Sequence, residues 1–361
     1  MVVWLAHEAN ASGANIAMME YAVALRDEYN FHFILPHGGN MIAKLNDLGF
    51  PTTIIHQYGW AVPSTEKTMR VSLRIKLRSI KAVVDTCLLI RKLDARLVFT
   101  NTQVAFTAAI AADKLNLPHV WWLHEFGEED FGFAIGFGKK EKAERLIRKS
   151  KLIICNSEAV KKKFVTQVPY INIERIYQPV SFQKELVQTA SVNTIRYLMF
   201  SQLIPAKGHI EVLKALVEAK KVDPSKKFTL HIKGPSEDAI YLQELRNYLV
   251  KNELQQEVKI ETGFFEKEAV LPLYDVLIVA SIAEAFGRVI MEAGKAGSKV
   301  IVKNAGGSTE LMNSTNGLLY NDTKELTEIL IGEIAMPTGP TKFNYKEEEE
   351  ILRLKDYLAI L

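Results

Sequence analysis

VLIVASIAEAFGRVIMEAGKAGSKVIVKNAGGSTELM, residues 276–312, is the stretch whose reading decides the fold. VLIVAS (276–281) and KVIVKN (299–304) are short apolar runs rich in β-branched residues, and the segment between them has the length and spacing of a helix. Strand, helix, strand within about 30 residues is a βαβ unit, and ligands bind beyond the C-terminal ends of its parallel strands. That rim holds Ser281, Glu284, Phe286 and Gly287. Glu284 and Glu292 are eight positions apart, just over two helical turns, so they lie on roughly one face if the helix begins early enough. By themselves, two glutamates on a helix are as well explained by solvent exposure; the small and aromatic residues around them favour a site.

The same alternation extends outward in both directions. Ahead of the junction, the strands read VVWLA (2–6), FHFILP (31–36), TTIIH (52–56), LVFTN (97–101), HVWWLHE (119–125) and KLIICNS (151–157). After it they read YLMFSQ (197–202), FTLHIKG (228–234) and VKIETGF (258–264). Near-continuous apolar strands joined by helices predict parallel sheets covered on both faces. The α/β chain therefore divides into two doubly wound, Rossmann-like domains, 1–180 and 181–340, with a last helix, 341–361, that can cross back to the first. QPVSFQKELVQTASVN, from position 178, is the expected junction.

With 361 residues, 48% hydrophobic and 24% charged, the chain is neither disordered nor fibrous, and no apolar run reaches the 18 residues of a membrane span. Two cysteines, Cys87 and Cys155, make no disulfide framework or Cys-rich metal site. The start MVVWLAHEAN has no basic region before its apolar stretch, so the expectation is a cytoplasmic chain with reduced thiols. Residues 1–180 hold 23 Lys/Arg against 17 Asp/Glu, a balance of +6, and residues 181–361 hold 22 against 25, a balance of −3. Two domains of opposite sign suit two kinds of partner.

A Ser, then E-x-F-G, then a second Glu completing E-x7-E resembles the signature of family 4 retaining glycosyltransferases with the GT-B fold (glycosyl transferases group 1). The rest of that pattern follows in order: Gly297 before KVIVKN, then Asn304, Ala305, Gly306, Gly307 and Glu310. Earlier, SQLIPAKGH (201–209) resembles the family's phosphate-binding loop, with Lys207 as its lysine. The resemblance implies two Rossmann-like domains facing across a cleft and a nucleotide-diphosphate sugar as donor. It further implies that Glu292 holds the donor ribose, that Glu284 lies near the sugar and pyrophosphate, and that Lys207 and the Gly306–Gly307 turn, opening a helix, face the diphosphate. Charge developing on that leaving group is what such a site must stabilise. Gln202 stands where the family usually has Arg, and an amide donates a hydrogen bond without supplying charge. Gly263, Phe264 and Phe265 follow a strand, where they either contact the nucleobase or anchor the loop.

In the first domain, Gly13 in ANASGAN (9–15) stands where the family has a Gly-Gly pair. This loop lacks G-x-G-x-x-G, so no nicotinamide cofactor is indicated. His124, at the end of HVWWLHE, resembles the family's active-site histidine facing the transferred sugar; His7 is a second choice. Asn156 and Ser157 are expected to cap a helix. Segment 67–92 holds eight Lys/Arg and one acid, with Met69, Leu73, Leu77, Ile80, Val84 and Leu88 near helical spacing. It reads either as a helix lying on an anionic membrane surface or as a helix packed on the sheet, and both can hold. Clusters Lys139–Lys142 and Lys161–Lys163 add to the positive half, without the motifs of nucleic-acid binding.

The expected activity is transfer of a hexose-type sugar from a nucleotide-diphosphate donor to a hydroxyl of a glycan or lipid-linked acceptor, as in cell-surface polysaccharide or glycolipid synthesis. Catalytic roles fall to His124, Glu284 and Lys207, and donor binding to Gly13, Gln202, Lys207, Gly263, Phe264, Phe265, Ser281, Phe286, Gly287, Glu292, Gly306 and Gly307. No D-x-D pair appears, so neither metal nor cofactor is expected, and the protein is expected at the inner face of the cell membrane. The alternative is a non-catalytic GT-B partner subunit that binds a sugar nucleotide or glycan, for which Gln202 is the chief support.

Overall fold

The computed structural model describes residues 1–57, 59–63, 69–127, 129, 133–135, 140–169, 171–182, 195–338 and 341–361, with backbone alone at 61–63, 69–76, 133–135 and 140–142. Lys67, the basic side chains at 70–76 and the Lys139–Lys142 cluster fall outside the described side chains, as does most of the expected junction.

The chain forms two compact units, Met1–Pro179 with Lys346–Leu361, and Val180–Tyr345. In the first, strands β1 (Val2–Leu5), β2 (Phe31–Leu35), β3 (Thr52–Ile54), β5 (Leu97–Asn101), β6 (His119–Leu123), β8 (Leu152–Cys155) and β9 (Ile173–Arg175) make one seven-stranded sheet in the order 3-2-1-5-6-8-9. Every pairing in it is parallel. Short β4 (Ala61–Pro63) and β7 (Phe133–Ile135) pair antiparallel beside it. Helices α1 (Gly13–Ala24), α2 (Asn40–Asp47), α3 (Met69–Lys92), α4 (Thr107–Leu115), α5 (Lys140–Ile147) and α6 (Glu158–Gln167) make the crossovers. One face of the sheet is an aromatic layer of Trp4, Phe31, Phe33, Phe99 and Trp122, on which Tyr21 and the helices close. Burying several such rings contributes strongly to this unit's hydrophobic stabilisation, each removing about 150–250 Å² from water.

Helix α12 (Glu347–Ala359) completes this unit, burying Leu354 and Leu358 in the same layer. Its EEEE start reads as a solvated turn, but Glu350 is buried, paired with Arg175 and accepting from the Tyr177 N–H at 2.9 Å. A buried carboxylate needs such partners, and they tie the returning helix to β9.

The second unit is a six-stranded, all-parallel sheet: β10 (Arg196–Phe200), β11 (Thr229–Gly234), β12 (Val258–Thr262), β13 (Val276–Val279), β14 (Lys299–Lys303) and β15 (Gly317–Tyr320), in the order 12-11-10-13-14-15. Helices α7 (His209–Val222), α8 (Ala239–Lys251), α9 (Lys267–Val270), α10 (Arg288–Lys295) and α11 (Thr323–Ile331) connect them. The strand order reverses between β10 and β13, the position at which doubly wound sheets bind ligands. Strands β9 and β15 were not read from the sequence: IER is mostly charged, GLLY has no β-branched residue and opens on glycine, and each lies at a sheet edge.

Candidate functional site

The loops after β10 and β13 carry the charged part of the site. Beyond β10, Pro205–Lys207 form one 3₁₀ turn, with proline at its start, where its missing N–H costs nothing. Gly208 then takes φ +70, and a Cβ there would stand 2.2 Å from the Ala280 carbonyl oxygen, so only glycine fits. The Ile282 N–H donates to the Ala206 carbonyl at 3.1 Å, stitching the two loops together. As a result, Lys207 Nζ donates to Glu284 Oε2 at 2.8 Å, each side chain about one-fifth exposed (22% and 21%). Burial would raise the Glu284 carboxyl, but the Lys207 charge and hydrogen bond, with a further one from Ser281, outweigh it and hold the group below the usual carboxylate range.

The Gly306–Gly307 turn fixes the backbone of the same glutamate. The Gly307 N–H donates to the Glu284 carbonyl at 2.7 Å, and a Cβ on Gly306, at φ +66, would stand 2.4 Å from that oxygen. The helix expected to open here, with N–H groups aimed at an anion, is instead a six-residue 3₁₀ helix, Gly306–Leu311, and the Gly307 N–H is committed to Glu284. The turn therefore positions Glu284.

Gly287, at φ +88, opens α10, whose second turn carries Glu292 inward to 3% exposure. Glu292 Oε1 accepts from Lys267 Nζ at 2.6 Å, with Arg288 Nε at 3.6 Å. Its Oε2 is buried with no hydrogen-bond partner among the described residues. A buried carboxylate oxygen without a donor is costly and suits a ligand that brings hydroxyls. Phe286, 2% exposed, packs toward Tyr345 with ring centroids 6.4 Å apart, and Ser281 is buried beside Glu284. Gln202 is half-buried just past β10.

After β12, Gly263 at φ +142 donates its N–H to the Gly234 carbonyl at 3.0 Å, leaving Phe264 90% exposed. Phe265 lies under Lys233, whose Nζ is 4.9 Å from the ring centroid. Phe264 is thus no loop anchor, and an exposed ring beside the strand ends offers a face on which a flat base can stack.

His124 lies in the first unit, buried at the end of β6. Its Nε2 is 2.8 Å from Asn101 Oδ1, and its Nδ1 is 2.6 Å from Gln178 Nε2. The Asn101 amide is oriented by its own donations, to the Ala14 carbonyl at 3.1 Å and Asn15 Oδ1 at 3.2 Å. With Asn101 presenting an oxygen, His124 carries its proton on Nε2, and Nδ1 accepts from Gln178. Both ring nitrogens are engaged in this arrangement, which fixes the imidazole and suits an orienting role more than proton shuttling. Neighbouring Glu125 accepts from the backbone N–H groups of Gln103 at 2.6 Å and His124 at 3.0 Å. Gly13 is exposed at the start of α1, and His7 pairs with Glu8 at 3.0 Å. Asn156 Nδ2 donates to the His124 carbonyl at 3.1 Å, and Ser157 caps α6 by accepting from the Val160 N–H at 3.1 Å.

Sequence reasoning overlooked Asn101 and Gln178, the two partners of His124. Asn101 closes LVFTN, a position that signals the sheet's C-terminal edge; Gln178 has no local signal, since only tertiary structure brings it to the ring. It also passed over His209, buried between Ser201 Oγ at 3.1 Å and Tyr241 Oη at 3.3 Å, where it braces the Lys207 loop. Among the described residues, no three His, Cys, Asp or Glu side chains are grouped to hold a metal ion.

Residues 194–333 match the family model for glycosyl transferases group 1, and the strands and loops that assemble Lys207, Glu284 and Glu292 lie within the matched region. The whole chain has the GT-B fold. It resembles Anabaena Alr3699/HepE, solved in complex with UDP and glucose, with TM-score 0.76 and 20% identity over 100% of this chain and 99% of that one. The apo lipopolysaccharide outer core galactosyltransferase WaaB gives TM-score 0.67 at 15% identity, covering 99% and 95% of the two chains. Sucrose-phosphate synthase (tll1590) from Thermosynechococcus elongatus gives 0.67 at 15%, covering 99% and 96%. Comparison with curated protein sequences gave no match.

Proposed function

We propose that the chain is a retaining, metal-independent glycosyltransferase that moves a hexose-type sugar from a nucleotide-diphosphate donor to a hydroxyl of a glycan or lipid-linked acceptor at the inner face of the cell membrane. The observation that carries the reading is the meeting of Lys207 and Glu284 at 2.8 Å at the reversal point of the sheet that matches the family model for glycosyl transferases group 1, with the partnerless Glu292 Oε2 on the following helix. Glu292 Oε2 accepts from the ribose hydroxyls, and Phe264 stacks on the base. Lys207 contacts the diphosphate, sharing its charge between the incoming phosphate and Glu284. When the bond between sugar C1 and the phosphate oxygen breaks, its electron pair stays on the diphosphate, and Lys207 stabilises that charge. The acceptor oxygen bonds to C1 from the same face, and its proton passes to the departing phosphate oxygen. His124, both of whose ring nitrogens are engaged by Asn101 and Gln178, orients the sugar by its position at the end of β6 and acts as neither acid nor base.

UDP is the first nucleotide to test, because the Alr3699/HepE structures contain UDP, UDP with glucose and UDP-glucose. Thermal shift against UDP-, GDP- and dTDP-sugars, followed by donor hydrolysis without acceptor, tests the reading. One nucleotide series raises the melting temperature, and its sugar is slowly released. Binding without release, even with acceptors supplied, would favour the partner subunit to which Gln202 points; no binding in any series overturns both.

A further inference from the structure

Over its described side chains, 77–92, α3 presents an apolar stripe outward. Sequence spacing leaves open whether Leu77, Ile80, Val84 and Leu88 pack on the sheet or face outward. They face outward, exposed by 60%, 58%, 52% and 59%. The buried face is a different set, Ser79, Ala82, Val83, Thr86 and Ile90. Its small residues let α3 lie close on alanine-rich α4, in a core layer that includes Ala108, Ala111 and Ala112. The helix therefore reserves its larger side chains for the outside. Single exposed apolar residues are ordinary on protein surfaces; four in register at intervals of three, four and four along one helix are not.

Exposed Arg78, Lys81, Arg91 and Lys92 accompany this stripe, and the acid between them, Asp85, pairs with Lys81 at 2.6 Å. The helix belongs to the half of the chain that carries +6. A lengthwise apolar stripe with basic residues along it matches a lipid interface, where apolar side chains enter the acyl boundary and Lys/Arg meet anionic headgroups. Among the described residues, no helix is long and apolar enough to cross a membrane. We propose that the outer face of α3, Leu77, Ile80, Val84 and Leu88 with their basic neighbours, seats the protein on an anionic lipid surface. This inference supplies the surface for the membrane location proposed above and does not depend on donor chemistry, because its residues lie on a different unit from Lys207, Glu284 and Glu292.

The experiment is vesicle co-sedimentation of the full chain, with phosphatidylcholine vesicles and with phosphatidylcholine–phosphatidylglycerol vesicles. UDP-sugar binding is measured in parallel as a check on fold and on the other site. The wild type sediments with the mixed vesicles at low salt, is released at high salt, and does not bind phosphatidylcholine alone. Leu77→Ser/Ile80→Ser/Leu88→Ser weakens binding to mixed vesicles on the order of tenfold or more, and Arg78→Glu/Lys81→Glu does so to a similar extent. Each variant keeps the wild-type melting temperature and the wild-type response to UDP-sugars, whatever that response is. Equal binding to both vesicle types, or binding unaffected by either variant, overturns the proposal. It is overturned too if the wild type ignores vesicles and instead forms concentration-dependent dimers in sedimentation velocity that the triple variant abolishes.

Discussion

Two buried histidines, neither in the proposed chemistry, tie stability to pH. His119 sits between Thr100 Oγ1 at 2.8 Å and Ser150 Oγ at 2.9 Å, and burial lowers its pKa to about 3. His209 is lowered to about 4, chiefly by burial and secondarily by Lys207. Unfolded, each imidazole protonates near 6.5, so below that pH the unfolded chain binds more protons than the folded one. Their contribution is therefore complete above about 6.5 and is lost as pH falls toward 4 and then 3; at pH ~5 each costs on the order of 2 kcal/mol. Urea unfolding at neutral pH and near pH ~5 should show this fall, and it should be smaller in His119→Asn. An identical fall in wild type and variant would place the acid sensitivity elsewhere. In the site itself, Gln202→Arg adds a charge that the amide lacks and should tighten nucleoside diphosphate binding. An unchanged affinity would mean that this position lies off the diphosphate.

At the scale of elements, glycine geometry shows why short motifs are informative. Gly306 combines a left-handed backbone with a forbidden contact to the Glu284 carbonyl. Gly306→Ala should destabilise the second unit by about 2 kcal/mol or more and disturb donor binding through Glu284; wild-type melting temperature with wild-type affinity would refute that role. The strand-loop-helix around Glu284, the parallel sheets and the helix Met69–Lys92 were legible because a buried parallel strand must be continuously apolar and a helix must repeat near 3.6. The direction of that helix was not, because both of its faces are apolar: Ala82, Val83 and Ile90 inward, Leu77, Ile80, Val84 and Leu88 outward. Periodicity finds a stripe but cannot tell which of two stripes meets α4. The 3₁₀ helix at 306–311 was missed for a related reason, since GGSTEL has the composition of a helix start and only the backbone contact with Glu284 decides its form. The place of His124 at a strand end was legible in the sequence, whereas Gln178, 54 residues away, reaches it only in three dimensions.

For the whole molecule, the fold is GT-B, and most of its second unit matches the family model for glycosyl transferases group 1. If protein groups alone offset the diphosphate charge, turnover should persist in chelator. Turnover that disappears in chelator and returns with magnesium or manganese would contradict the metal-independent reading. The central claim is that Lys207 and Glu292 bind and activate a nucleotide-diphosphate sugar. Its most direct test is titration calorimetry of the full chain with UDP-glucose, paired with donor turnover, in wild type, Lys207→Ala and Glu292→Gln. The account predicts measurable wild-type binding, weakened in both variants, and a loss of about 2–4 kcal/mol in kcat/KM for Lys207→Ala. Wild-type binding and turnover in Lys207→Ala would contradict it.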